Sequence, residues 1–335
     1  MIYRNRKKLT ILGLILTAVF LFYIFEVYVP NLGSATKLEQ YVIQSGKGTK
    51  GVADDLKKQG IIKSSFFFRF YALVSYKYSK LQAGKYDLSS DMSISEIVNK
   101  MALGDISTYK ITLLEGWTIK DMSDYLEKNN FYSSKDFIDS TKKDWIQEFI
   151  FLKDKPKKLD LEGYIFPDTY QVHPDDNIDV LTEKALSNFD KKLTPELKQE
   201  ITKQKKTIFQ IVTMASIIEK EASNTEDRKM ISGILWKRLK VGFPLQVDAS
   251  VNFITGKSDS KVAIKDTKID SPYNTYKYAG LPLGPISNPG IDSILAAIYP
   301  TDNPYWYYLA ADGTGQTIFS ETVEEHQAAI DKYFK

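Results

Sequence analysis

Two glutamates that could do acid–base chemistry, Glu219 and Glu221, stand near the end of an apolar segment, IVTMASIIEKEAS. Helical spacing puts five apolar residues on one face and predicts a core helix: Ile211, Met214, Ala215, Ile218 and Ala222. At about 100° per residue, the two glutamates flank this face on opposite edges. A carboxyl group at such an edge can be partly desolvated, which raises its pKa and keeps a proton available near neutral pH. A general acid for cleavage of a glycosidic bond has this requirement.

The same spacing also fits two ordinary glutamates at the boundary of a core, paired with Lys220 or Arg228. Helical geometry alone does not choose between Glu219 and Glu221 as the acid. Both alternatives stay open at the level of the residues.

The residue inventory narrows the chemistry further. The 335 residues include no cysteine and two histidines, His173 and His326. Thiolate chemistry is excluded, and the scarcity of imidazoles argues against a Ser-His-Asp triad or a multi-His metal site. A net charge of +3 does not point to nucleic acid. We therefore expect any hydrolytic or lytic chemistry to rest on carboxylates.

A turn-rich segment, SPYNTYKYAGLPLGPISNPG (271–290), alternates aromatic side chains with amide and hydroxyl groups. Prolines and glycines fix such a loop, and aromatic and amide groups on a rigid loop suit sugars. A purely structural loop fits this composition equally well. Gln246 and Asp248, in LQVDASV, are polar groups in an apolar context and a weaker signal of the same kind.

An apolar segment near the N-terminus, Leu9–Val29, is interrupted only by Glu26. About 20 residues at ~1.5 Å each match a hydrocarbon core of ~30 Å. Basic residues precede the segment and place the N-terminus in the cytoplasm by the positive-inside rule: Arg4, Arg6, Lys7 and Lys8. The alternative is a cleaved signal peptide, for which residues 33–35 are the nearest cleavage site.

The rest of the chain predicts an α+β protein in two parts. Strands at 38–46 and 83–90 enclose helices at 51–60 and 66–78, and a further helix runs from 94 to Gly104. We interpret the aromatic residues of these helices as core. Beyond a strand at 109–116, we expect a Lys-rich, mostly solvated stretch to Lys158, then a long helix and a second one that ends with 208–223. The domains are then a cytoplasmic tail (1–8), a transmembrane helix (9–30), a small module (31–106) and a larger catalytic domain (107–335).

Six motifs, in this order, carry a resemblance to a known family: LLEGWT (113–118), LEGYIFPDTY (161–170), MASIIEKEAS (214–223), LQVDASV (245–251), the 271–290 segment and PYWYYLAADGTG (304–315). Together they resemble the YceG-like family of endolytic murein transglycosylases (MltG). The resemblance spans the chain from about Val42 to its end. It implies that the small module is LysM-like and that the core helix carries the catalytic glutamate.

The resemblance also implies a mechanism. Glu221 matches the family's essential glutamate, with Glu219 as the fallback. The acid would protonate the oxygen that links MurNAc to GlcNAc, and then accept the proton of the MurNAc C6 hydroxyl as a 1,6-anhydro ring closes. No second carboxylate nucleophile is needed, unlike in most glycosidases, and the implied mechanism requires no metal and no cofactor.

Motif positions further imply that six residues line the glycan cleft: Glu162, Tyr164, Gln246, Asp248, Asn274 and Tyr276. Two positions depart from the family pattern. Ala249 stands where proline is usual, and the C-terminal H-x-F reads Thr317-Ile318-Phe319. We interpret His326, which does match a family position, as structural.

The resulting hypothesis is a single-pass protein of the cytoplasmic membrane that cuts nascent peptidoglycan strands outside it and influences their length, with peptidoglycan synthases as candidate partners. Two alternatives are a non-catalytic peptidoglycan-binding scaffold and a muramidase-type hydrolase that uses water as acceptor.

Overall fold

The structure, a computed structural model, describes residues 2–31, 39–257, 262–311 and 316–333. It is mixed α+β, as predicted from the sequence. The chain divides into two compact units, Met1–Tyr109 and Lys110–Lys335. Residues 33–35, the cleavage site that a signal peptide would have, lie outside the described residues, as does the end of the sixth motif, 312–315.

The first unit is a long apolar helix followed by a small α+β module. Its elements are α1 (Ile2–Tyr28), β1 (Glu39–Ile43), α2 (Thr49–Lys58), α3 (Ser65–Val74), β2 (Gly84–Leu88) and α4 (Ile94–Leu103). The strands pair antiparallel with Tyr41 opposite Tyr86. Ser64 and Ser93 accept backbone N–H groups at the starts of α3 and α4, which satisfies donors that a helix start leaves free. The predicted order of strands and helices is confirmed.

The second unit is largely helical, with short strand pairs. Its elements are β3 (Tyr109–Thr112), α5 (Ile119–Lys128), α6 (Ser134–Thr141), β4 (Thr169–Val172), α7 (Ile178–Lys192), α8 (Pro195–Lys203), α9 (Ile208–Glu221), α10 (Thr225–Lys240), α11 (Asp248–Thr255), α12 (Ile291–Ile298), β5 (Tyr307–Ala310), β6 (Thr317–Ser320) and α13 (Val323–Tyr333), with 3₁₀ turns at Ile150–Asp154 and Asp266–Lys268. In the described part, β3 pairs with β4, and β5 pairs antiparallel with β6.

Helix α9 is the central element of this unit. It contacts α8, α10, α11 and α12, and every residue from Ile211 to Ile218 is buried. The helix begins with a capping box between Thr207 and Gln210, and it ends after Glu221 because Ala222 adopts an extended conformation. The core helix predicted from the sequence is therefore present, and it is buried on all sides rather than on one face.

Three details of the sequence prediction are wrong. The helix before 208–223 does not run into it, because α8 ends at Lys203 and Lys205 takes a positive φ of 57° before α9 starts. The Lys-rich stretch before Lys158 contributes core residues: Phe137, Phe149, Phe151 and Leu152. The aromatic residues of α3 are only partly core, since Phe68 is fully buried whereas Phe66 and Phe70 are exposed.

Candidate active site

Glu221, the last residue of α9, lines a cavity of about 780 Å³ in the second unit. Polar and aromatic side chains form much of its wall: Lys220, Arg238, Gln246, Asp248, Asn252, Lys257, Tyr276, Tyr307, Tyr308 and His326. These residues come from α9, α10, α11, α13, β5, the loops on either side of α11 and the loop after residue 271. The helix end therefore delivers a carboxyl group into a space large enough for a small-molecule or sugar-sized ligand.

The carboxyl group of Glu221 has a pKa close to physiological pH. Burial and the negative charge of Asp248 raise the pKa of Glu221 to about 7, against a smaller opposing effect of the Tyr308 hydroxyl and of the Arg238 guanidinium. Tyr308 donates a hydrogen bond to the Glu221 carboxyl group. In the described part of the chain, Glu221 forms no ion pair. A group with these properties can donate a proton near pH 7 and accept one afterwards.

Asp248 is the second carboxyl group of this cavity. The Tyr276 hydroxyl donates a hydrogen bond to Asp248 Oδ1, and Asp248 is the first residue of α11, where the helix dipole favours a negative side chain. Thr275 holds the preceding loop by accepting the N–H of Gln246 on its carbonyl oxygen at 3.1 Å and that of Val247 on its hydroxyl at 3.0 Å. The 271–290 segment thereby positions Asp248.

Arg238 supplies a buried positive charge next to these carboxyl groups. Its guanidinium donates to the carbonyl oxygen of Leu245 at 2.6 Å and to that of Trp306 from Nη2 at 2.6 Å and from Nε at 2.9 Å. These bonds join α10 to the segments that precede α11 and β5. Burial lowers the pKa of Arg238, and its charge lowers the pKa of Glu221.

Glu219 lies in a different environment from Glu221. Its Oε1 accepts a hydrogen bond from Arg228 Nη2 at 2.9 Å, and its Oε2 accepts the N–H of Gly290 at 2.9 Å. The pairing with Arg228 that the sequence left open is therefore present for this glutamate. Glu115 lies against Gly290, and burial together with the charge of Glu219 raises the pKa of Glu115.

The structure brings together three of the six residues expected in the cleft, namely Gln246, Asp248 and Tyr276. The other three, Glu162, Tyr164 and Asn274, are buried and are not part of this cavity wall. Asn274 donates from its amide to the carbonyl oxygens of Thr267 and Ile269 at 3.0 and 2.8 Å. Its amide therefore organises the loop that carries Tyr276.

Glu162 belongs to a second buried network, centred on Asn288. The side-chain Nδ2 of Asn288 donates to Glu162 Oε1 at 2.7 Å. The side-chain Oδ1 of Asn288 accepts the N–H groups of Gly163 and Ile165 at 2.9 and 3.0 Å. Glu162 Oε2 also accepts the N–H of Ile119 at 2.9 Å. Burial raises the pKa of Glu162 well above its usual value. The network joins the second motif to the end of the 271–290 segment.

Sequence reasoning missed Tyr308, Arg238 and Tyr307 as parts of the site. Tyr308 lies in a Tyr-rich strand, and nothing in that segment indicates that it contacts Glu221. Arg238 is one of several basic residues near the end of α10, and its sequence context does not distinguish it from the others. His326, interpreted from the sequence as structural, lies on the cavity wall with its ring stacked on Tyr307 at a centroid distance of 5.2 Å. Among the described residues, no three acidic or imidazole side chains come together as a metal site.

A partly buried carboxyl group of raised pKa on a polar cavity is typical of enzymes that work by carboxylate acid–base chemistry. The family model for the YceG-like family matches residues 41–332, and the chain belongs to that family.

Relatives agree with this assignment. A Bacillus subtilis protein named endolytic murein transglycosylase is 37% identical over 306 residues, which cover 87% of this chain and 83% of the relative. A Streptococcus pneumoniae protein of the same name is 29% identical over 339 residues, 93% of this chain and 61% of the relative. The solved structure of a YceG-like protein from Listeria monocytogenes has 33% identity and a TM-score of 0.60, and the match covers 88% of this chain and 99% of that one.

Proposed function

We propose that this protein is an endolytic peptidoglycan lytic transglycosylase, which cuts glycan strands between MurNAc and GlcNAc. The relatives that match most of its length are named for this activity. The single observation in the structure that carries the proposal is the Glu221 carboxyl group, which faces a large polar cavity with its pKa raised to about 7.

In the proposed reaction, Glu221 donates its proton to the glycosidic oxygen while the bond from that oxygen to MurNAc C1 breaks. The MurNAc C6 hydroxyl then attacks C1, and its proton passes to the Glu221 carboxylate. The products are a GlcNAc-ended strand and a 1,6-anhydro-MurNAc end, and the acid is regenerated without water being consumed. One carboxyl group performs both proton transfers, so its pKa must lie near the working pH.

Neighbouring groups support this role of Glu221. Asp248 accepts a hydrogen bond from Tyr276 and is the first residue of α11. Its negative charge would stabilise the positive charge that develops at C1. Tyr308 donates to Glu221 and would steady the carboxylate between the two proton transfers. We propose Gln246, Asp248 and Tyr276 as contacts of the glycan, and Glu162, Tyr164 and Asn274 as residues that hold the surrounding loops.

Membrane anchoring by α1 is part of the proposal. Residues Thr10–Tyr28 form a helix long and apolar enough to cross a bilayer. With Arg4, Arg6, Lys7 and Lys8 on the cytoplasmic side, the rest of the chain would lie outside the membrane. The strand–helix–helix–strand order of the small module supports a LysM-like role in glycan binding. Peptidoglycan synthases are the protein partners we propose.

The decisive experiment incubates the full chain in detergent micelles with purified peptidoglycan and analyses the products by mass spectrometry. The parent protein should release internal fragments with anhydro-MurNAc ends, and Glu221→Gln should release none. Gln246→Ala, on the same cavity wall, is a matched control that should lower but not abolish activity. Fragments with reducing ends would indicate a hydrolase, and full activity of Glu221→Gln would refute the assignment of the acid. Binding of peptidoglycan without any product would indicate a scaffold.

A further inference from the structure

Helix α3 has apolar side chains on two opposite faces. Phe68 and Ala72 are fully buried in the core of the first unit. Phe66, Phe70, Leu73 and Val74 point away from that core and are 59, 41, 60 and 47% exposed. Their spacing of four, seven and eight residues puts them on one stripe. A contiguous exposed apolar patch of this kind marks a surface that interacts with protein or membrane.

Helix α3 lies beside the last turns of α1, and Phe70 of the stripe is one of its contacts. Phe22 contacts Phe67 at a ring-centroid distance of 5.6 Å, and Tyr23 contacts Phe70 at 5.6 Å. Tyr28 contacts Tyr71 at 6.0 Å. Residues 22–28 make up about 10 Å of helix. Helix α3 therefore lies level with the outer end of the segment that we propose to span the membrane.

The end of α1 is fixed to the module. Val27 is fully buried. The backbone N–H of Asn31 donates to the carbonyl oxygen of Ser90 at 2.9 Å. The side-chain amide of Asn31 donates to the carbonyl oxygen of Gly60 at 2.8 Å. Helix α1 also contacts both α3 and α4, so the position of the apolar stripe along the axis of α1 is fixed. If α1 spans the bilayer, α3 therefore lies at the membrane surface.

The charge around α3 matches a lipid surface. Between Asp55 and Asp87 the chain has no acidic residue and seven basic ones: Lys57, Lys58, Lys63, Arg69, Lys77, Lys80 and Lys85. The Nζ atom of Lys63, just before α3, lies 4.5 Å from the ring centroid of Phe25. Aromatic rings with flanking cations are the composition of membrane interfaces, and basic clusters are attracted to anionic headgroups.

We propose that α3 is an interfacial helix, with Phe66, Phe70, Leu73 and Val74 inserted into the outer leaflet beside α1. Its apolar stripe would reach about 5–10 Å into the boundary between headgroups and acyl chains. The basic residues around it would then meet lipid phosphates. This contact fixes the orientation of the first unit on the membrane. The inference rests on the proposed anchoring by α1.

The natural absence of cysteine allows a direct test. Single variants Phe70→Cys and Leu73→Cys are labelled with an environment-sensitive fluorophore in the full chain. Asp54→Cys, exposed on α2 of the same unit, is the matched control. The proteins are reconstituted into vesicles of phosphatidylcholine and phosphatidylglycerol and first floated on a density gradient. Fluorescence is then quenched by doxyl-labelled lipid and, separately, by iodide in the water.

We expect lipid quenching at positions 70 and 73 to exceed that at position 54 by about threefold or more, with the reverse order for iodide. Iodide quenching at all three positions alike, in chains that float, would overturn the inference and leave the anchor intact. Shielding from both quenchers, or efficient disulfide formation between two Leu73→Cys chains, would show that protein covers the stripe and would also overturn it. Chains that do not float would refute the anchor and this inference together.

Discussion

Arg228 Nη2 donates a hydrogen bond to Glu219 Oε1 over 2.9 Å, and only 9% and 5% of the two side chains are exposed. Arg228 Nε also donates to the carbonyl oxygen of Ala222 at 3.0 Å, and Glu219 accepts the N–H of Gly290. The pair thereby joins the end of α9 to the start of α12. Glu219 positions the helix end, and Glu221 two residues later faces the cavity.

Removing one member of this pair should be strongly destabilising. Arg228→Met leaves the Glu219 carboxylate buried without its cation, and we expect a loss of about 3–5 kcal/mol in the free energy of unfolding. Urea unfolding of the full chain in detergent measures it. The double variant Glu219→Gln with Arg228→Met should recover much of the loss, because no uncompensated charge is left. An unchanged midpoint for Arg228→Met would contradict the structural role of the pair.

The rate of glycan cleavage should fall as the pH rises above about 7. Burial raises the pKa of Glu221 to about 7, and the acid must be protonated before the glycosidic bond breaks. The measurement is kcat/KM for peptidoglycan fragments from pH 5 to 9, with an expected decline of about tenfold per pH unit on the alkaline side. Circular dichroism at each pH checks that the fold persists. A rate that stays level up to pH 9 would rule out Glu221 as the acid.

Two neighbours should move this alkaline limb in opposite directions. Asp248→Asn removes a negative charge that raises the pKa of Glu221, whereas Tyr308→Phe removes a hydrogen bond that lowers it. The limb should therefore shift to lower pH in the first variant and to higher pH in the second, each by about one pH unit or less. The same pH profiles test this. Shifts in one common direction would mean that the limb reports a group other than Glu221.

Glycine replacements separate steric limits from helix propensity. A Cβ at Gly233, within α10, would lie 2.0 Å from the carbonyl oxygen of Thr301 and 2.7 Å from Nδ2 of Asn303. Gly233→Ala should lower the free energy of unfolding by about 1–3 kcal/mol, despite the higher helix propensity of alanine.

The matched control is Gly51→Ala in α2, where the nearest atoms belong to the Lys47 side chain at 3.4 Å. This change should be neutral or stabilising by up to about 1 kcal/mol. Calorimetric melting of the two variants checks both expectations. Equal effects would show that Thr301 and Asn303 move away from the added Cβ at position 233 at little cost in stability.

Local signals in the sequence determined most of the elements. Ser64 and Ser93 each mark a helix start by offering a side-chain acceptor within one turn. Apolar spacing identifies α9 as a core helix. The apolar run of α1 is equally local. Such features depend on residues within a few positions of one another, so they can be read without knowing the fold.

Contacts between distant segments were decided by the tertiary structure alone. Helical spacing predicts on which side of α9 Glu219 and Glu221 project. It does not predict that Arg228 contacts Glu219 and that Tyr308 contacts Glu221. The motif position of Asn274 predicts a place in the glycan cleft, and only the tertiary structure shows that its amide also holds its own loop. Burial, and hence the pKa of a carboxyl group, depends on which remote side chains close around it. For that reason the sequence determined the helix that carries both glutamates, and only the packing of the chain gave them different environments.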